Sequence, residues 1–180
     1  GTGDFSGAVD VAGVLTASAG AVFNEGSADV DFRVESNGNA NMVFVDGGND
    51  KVAIGTATAT AMLTVAGSLK PITYQETYVA ASAASTVTLN LATGTSFSLT
   101  MGQATTFVFS NPPSSGTAFS FTLFLTQHST AVAITWPNTV DWAGGSAPDA
   151  AGNNEVQAYA FFTRDGGTTY YGFLGGTAIA

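Results

Sequence analysis

His128 is the chain's single histidine, and it stands in Thr126-Gln127-His128-Ser129-Thr130 between two strongly apolar segments. As the base of a nucleophilic triad it would need a buried carboxylate to orient its ring. No neighbouring residue supplies one, and the segment reads as the polar tip of a hairpin. Three copies about a threefold axis could bring three imidazoles to one metal, an alternative that a single imidazole per chain leaves open. Asp46-Gly47-Gly48-Asn49-Asp50 offers clustered oxygens to a hard cation, but lacks the acidic twelfth position of an EF-hand and is flanked by alternating apolar segments. It reads as a hairpin turn, so no metal and no cofactor is expected.

Glycoside hydrolysis needs two carboxyl groups about 5–10 Å apart, one kept protonated by an apolar pocket. The C-terminal part supplies Glu76, Asp141, Asp149, Glu155 and Asp165. Those between Asp141 and Glu155 could meet across a subunit interface, but all five stand among turn residues, and solvated turns rather than catalysis are expected. Sugar binding asks for aromatic rings among amides, because sugars present apolar C–H faces rimmed by hydroxyls. Trp142, Asn153, Asn154 and Tyr171 are the candidates. Against this, Trp142 could pack under its own Gly/Pro loop, Trp136 lies in a period-two segment and reads as core, and either Tyr170 or Tyr171 must point inward.

Such residues need a scaffold, and the composition restricts its kind. The chain of 180 residues has a formal charge of −9 with only four basic residues, so neither a phosphate backbone nor anionic lipid finds a basic patch. Nucleic-acid binding and membrane insertion are excluded on that ground, and no apolar run approaches the roughly 18 residues of a spanning helix. No basic and apolar leader opens the chain, which begins with Gly1 and leaves a preceding anchoring segment open. Hydrophobic residues reach 45%, which predicts order. Cysteine is absent, so durability must come from something other than disulfides, and oligomerisation is the obvious source.

From Gly1 to Lys70 the sequence shows short β segments separated by Gly, Asn and Asp: Ala8–Val11, Val30–Val34, Met42–Val45, Lys51–Ile54 and Met62–Val65. Val9-Asp10-Val11-Ala12-Gly13 returns as Leu63-Thr64-Val65-Ala66-Gly67, a weak repeat. Ordering such a segment costs about 1–2 kcal/mol per residue, while its small side chains bury little area. One copy should not fold alone. Three copies around a common axis would bury one another's Val, Ile, Phe and Leu and close the strand edges, which predicts a homotrimeric β shaft.

Lys70-Pro71 marks a change to longer strands, since proline cannot donate to a central ladder. Beyond it, period-two alternation runs through Phe97–Met101, Phe107–Phe109, Phe119–Leu125 and Val132–Trp136, which predicts half-buried antiparallel strands. Asn111-Pro112-Pro113-Ser114-Ser115-Gly116 predicts a turn joining adjacent strands. Phe161-Phe162-Thr163-Arg164-Asp165-Gly166-Gly167-Thr168-Thr169-Tyr170-Tyr171 predicts a closing hairpin, and Tyr78–Ser85 is the one stretch that could make a helical turn or two. The fold class is therefore all-β: a short-stranded trimeric shaft over residues 1–70 and an antiparallel, β-sandwich-like unit over 71–180, with little helix.

From about Tyr74 onward, the order apolar strand, Trp136-Pro137, a Trp142/Gly/Pro loop, another strand, Asp165-Gly166-Gly167-Thr168-Thr169 and Gly172-Phe173 resembles the C-terminal module of bacteriophage fibre proteins. Phe32–Asn39 and Met42–Thr56 resemble a segment recurring in phage fibre shafts, and Tyr170 stands where that family often carries Trp. The resemblance implies a virion structural protein, a tail fibre with a jelly-roll-like C-terminal knob. Its partners would be two further copies of itself, other tail or baseplate proteins and a host cell-surface glycan held by avidity. It implies no enzyme. A capsid decoration fibre, a glycan-degrading tailspike tip and a cellular lectin-like adhesin are the alternatives.

Overall fold

A computed structural model describes residues 7, 9–18, 21–23 and 26–179. The protein is all-β, with thirteen strands and no helix among the described residues. It divides into two compact units, Gly1–Ile72 and Thr73–Ala180.

The N-terminal unit is one four-stranded sheet in the order β1 (Phe32–Ser36), β2 (Asn39–Asp46), β3 (Lys51–Ile54), β4 (Leu63–Val65). The first three strands form an antiparallel meander, and β4 joins β3 in parallel. Asp46-Gly47-Gly48-Asn49-Asp50 forms the β2–β3 hairpin turn, where Asp46 Oδ1 accepts the Asn49 backbone N–H at 2.9 Å. Register places the apolar residues in two cross-strand rows on a single face: Phe32, Val45, Val52 and Leu63, then Val34, Val43, Ile54 and Val65. None of the eight is buried, and among the described residues the buried hydrophobic one of this unit is Ala53, which points to the other face. Val9–Val11 forms no strand, and Ala8 lies outside the described residues.

The C-terminal unit is a sandwich. One sheet has the order β11 (Val140–Trp142), β13 (Tyr170–Ile179), β12 (Val156–Thr163), β9 (Phe119–Thr126), β7 (Ser96–Thr100), β5 (Tyr78–Ala80). The other has the order β10 (Ile134–Thr135), β8 (Thr105–Ser110), β6 (Thr86–Asn90). From β5 to β11 each successive strand lies in the opposite sheet, so the chain winds as a flattened coil. Strands two apart in sequence become neighbours and run parallel: β5–β7, β7–β9, β6–β8 and β8–β10. β11 also pairs with β13 in parallel.

The expected antiparallel pairing therefore holds for β9–β12 and β12–β13 and is corrected elsewhere. Alternation tells which side chains face inward and is silent about the neighbouring strand. For the same reason Asn111–Gly116 and the His128 segment are not hairpin turns. Each carries the chain from one sheet to the other. Tyr78–Ser85, the helical candidate, begins as strand β5 and continues without helix.

Between the sheets, Val87 and Leu89 of β6 and Phe107 of β8 meet Phe97, Leu99, Phe121, Leu123, Leu125, Tyr159 and Phe161 of the larger sheet. Rings supply much of the volume: Phe121 stacks on Phe161 at 4.9 Å, and Phe107 on Trp136 at 4.9 Å. No buried side-chain nitrogen or oxygen lacks a partner among the described residues. Tyr159, 1% exposed, donates its hydroxyl to Gln157 Oε1, and Gln157 Nε2 passes the link on to the Asp149 carbonyl at 2.9 Å.

Candidate functional site

The four residues singled out for ligand contact do not converge. Trp142 belongs to the core at 9% exposure, its ring packed edge-on against Trp136 at 5.2 Å and Phe161 at 5.6 Å. Of its two sequence readings, ligand ring and packing residue, this burial favours packing. Its position on β11 explains this. Trp142 registers with Gly172 on β13, and the absence of a Cβ there makes room for the indole.

Asn153 and Asn154 lie in the exposed loop entering β12. Asn153 Oδ1 accepts the Ala131 backbone N–H at 2.8 Å, and the Asn154 N–H donates to the His128 carbonyl at 3.3 Å. They tether this loop to residues 128–131. Gln127, which sequence reading passed over, completes the tether from below. Only 2% exposed, it donates from Nε2 to the Val132 carbonyl and accepts at Oε1 from the His128 and Val132 N–H groups. The Thr130 N–H donates to His128 Nδ1 at 3.2 Å, so the imidazole is engaged inside its own loop.

Tyr171 is different. It stands half-buried on the outer face of the six-stranded sheet, with its ring centroid 6.4 Å from that of Phe162. Register extends this face strand by strand. Phe162 lies beside Ser120, Phe173 lies beside Ala160, and Thr122, Ser96 and Tyr78 continue that row. In the next row Ala158 is followed by Phe124, Ser98 and Ala80. The Tyr78 hydroxyl hydrogen-bonds Ser98 Oγ at 2.7 Å. Phe124 is 43% and Phe173 48% exposed. Along the strands the one charge pointing this way is Asp141, on the β11 edge. Aromatic rings thus stand above an alanine floor among hydroxyls, on an open and nearly neutral surface.

Tyr171 and the Asn153–Asn154 loop are far apart on this unit. Tyr171 registers with Phe162, whereas Asn154 lies just before Val156, six strand residues or about 20 Å away. The aromatic surface therefore comprises Tyr171 with Phe162, Phe173, Phe124 and Tyr78, and four of these five were missed in the sequence. A signal existed. The pair Phe161-Phe162 must send one ring outward, and Phe124 breaks the inward series Phe121, Leu123, Leu125.

The acidic residues of this unit are dispersed over separate loops and edges. Glu76 accepts from Thr95 Oγ1 at 3.0 Å, Glu155 accepts the Gly152 N–H at 3.0 Å, and Asp141 is exposed. Asp165 organises the β12–β13 turn: its Oδ1 accepts the Thr169 N–H and the Thr163 hydroxyl, each at 3.0 Å. The Thr169 bond above all holds its carboxyl below the ordinary aspartate range. Burial, followed by the Asp165 charge, pushes the neighbouring Tyr170 phenol up. Among the described residues no three His, Cys, Asp or Glu side chains are grouped to hold a metal.

The fold and this surface define an all-β protein with a coiled sandwich and an aromatic outer sheet face. Comparison with family models, curated proteins and solved structures finds no match to the chain.

Proposed function

We propose that this chain is a homotrimeric bacteriophage tail-fibre protein, a structural part of the virion, whose C-terminal unit adheres to a glycan on the host cell surface. The observation that carries the adhesive reading is the outer face of the six-stranded sheet. Tyr171, Phe162, Phe173 and Phe124 offer flat apolar surface to sugar C–H faces, while Ser98, Ser120 and Thr122 offer donors and acceptors to the hydroxyls. Near-neutrality suits an uncharged polysaccharide, and a shallow open face suits weak contact at each site. Three such faces per fibre raise the effective concentration at the surface, so weak sites suffice.

The fibre reading draws on the resemblance of Met42–Thr56 and of Trp136–Phe173 to phage fibre segments, and on a β-rich N-terminal unit in which Ala53 is the buried hydrophobic residue among the described ones. The test is adsorption of the labelled full chain to a panel of bacterial cells and their purified surface polysaccharides. Wild-type adsorption, lowered at least about tenfold in Tyr171→Ala/Phe124→Ala, is expected. Absence of adsorption across the panel, or an unchanged double variant, overturns the adhesive assignment.

A further inference from the structure

We propose that the apolar face of the β1–β4 sheet is the surface through which copies of this chain associate; the proposal rests on the fibre reading and names the interface within it. The two cross-strand rows are unbroken from one sheet edge to the other, yet Val34 is 43% and Leu63 56% exposed. A groove of about 550 Å³ adjoins the surface at Phe32 and Val45, where Phe23 packs on the Phe32 ring at 4.8 Å and Val22 and Val30 form further walls; Asp46 and Asp50 also line it. The β2 strand continues this face with Asn41 and Asn39 at one end, but the two apolar rows themselves need another layer to cover them.

Charge and stoichiometry select the occupant. The strand charges of this unit, Arg33, Glu35, Asp46 and Lys51, point to the opposite face, where Arg33 and Glu35 pair at 2.7 Å. Copies each carrying −9 repel one another over most of their surface, and the two apolar rows, which hold no charged side chain, are where they can approach with the least of that penalty. The cover must also be present whenever the unit folds, because the unit's own buried hydrophobic residue is a single alanine among the described ones. Another copy of the same chain is always available in equal amount. Around a threefold axis the Val, Ile and Leu rows of each copy would meet those of both others, so the same side chains supply every side of the contact.

The test uses the full chain. Sedimentation of the wild type should give three times 18.1 kDa at micromolar concentration. Val34→Glu and Leu63→Glu alter side chains that are already exposed in the single chain, and each should raise the concentration for half-dissociation at least about 100-fold, while Arg33→Glu on the other face leaves it within about threefold. The chain lacks cysteine, so Val34→Cys carries a unique thiol. Maleimide should label it slowly in the assembly and at least about tenfold faster on dilution, with Glu35→Cys fast throughout. A trimer that survives Val34→Glu, with Val34→Cys labelled fast, overturns this interface and leaves the fibre reading standing. A folded monomeric wild type overturns both.

Discussion

Trp142 packs closely against Gly172: a Cβ on that glycine would stand 2.7 Å from Trp142 Cε3 and 2.8 Å from Val140 Cγ1. The two residues are register partners across the parallel β11–β13 pair, so the edge strand and the core ring are held by one contact. Gly172→Ala should cost about 1–3 kcal/mol by overpacking, and Trp142→Ala about 3–5 kcal/mol by opening a cavity. Urea unfolding followed by fluorescence checks both. An innocuous Gly172→Ala would mean that Trp142 does not occupy this position.

Gln127→Leu should destabilise the C-terminal unit by about 1–3 kcal/mol, because it strands the His128 and Val132 N–H groups beneath the loop. Asn153→Ala removes one exposed bond to Ala131 and should cost about 0.5–1.5 kcal/mol. Hydrogen exchange at residues 128–132 should rise in both variants. On the proposed adhesive face Asn153 is not a contact residue, and polysaccharide adsorption should stay within about twofold of wild type in Asn153→Ala.

The β12–β13 turn should be acid-labile. The Asp165 carboxyl is more acidic folded than unfolded, since its ionised form accepts the Thr169 N–H. Its contribution is therefore present above the unfolded aspartate range and is lost as pH falls through the lower folded value. Turn-specific hydrogen exchange in wild type should quicken as pH drops through that window once the intrinsic exchange rate is divided out. Asp165→Asn should flatten the dependence.

At the alkaline end Tyr159 contributes a pH dependence of the opposite sign. Burial raises its phenol to about 12 from 10.0, so the unfolded chain ionises first and stability contributed by Tyr159 declines as pH climbs between those values. Tyr159→Phe should reduce that decline. At neutral pH it should also cost about 1–3 kcal/mol by leaving Gln157 Oε1 without its donor. Denaturation midpoints at pH 7 and pH 11 separate the two effects.

Much of this fold could be read in the chain. Alternation in Phe119–Leu125 assigned Phe121, Leu123 and Leu125 to the interior, where all three are at most 2% exposed, because side chains on a strand change face at every residue. The Gly-rich segment after Thr163 was legible as the closing hairpin for a similar local reason: Gly166 and Gly167 take positive φ, and Asp165 closes the turn by accepting the Thr169 N–H. What no local pattern contained was the partner of each strand. Whether Phe97 pairs beside Leu123 or turns back on Phe107 depends on which sheet the connection enters, and only the packed molecule decides that. The same limit separated Tyr171 from Trp142. Both are aromatic residues near glycine, yet one stands on the outer face and the other is packed over Gly172, because burial follows from the third dimension rather than from residue type.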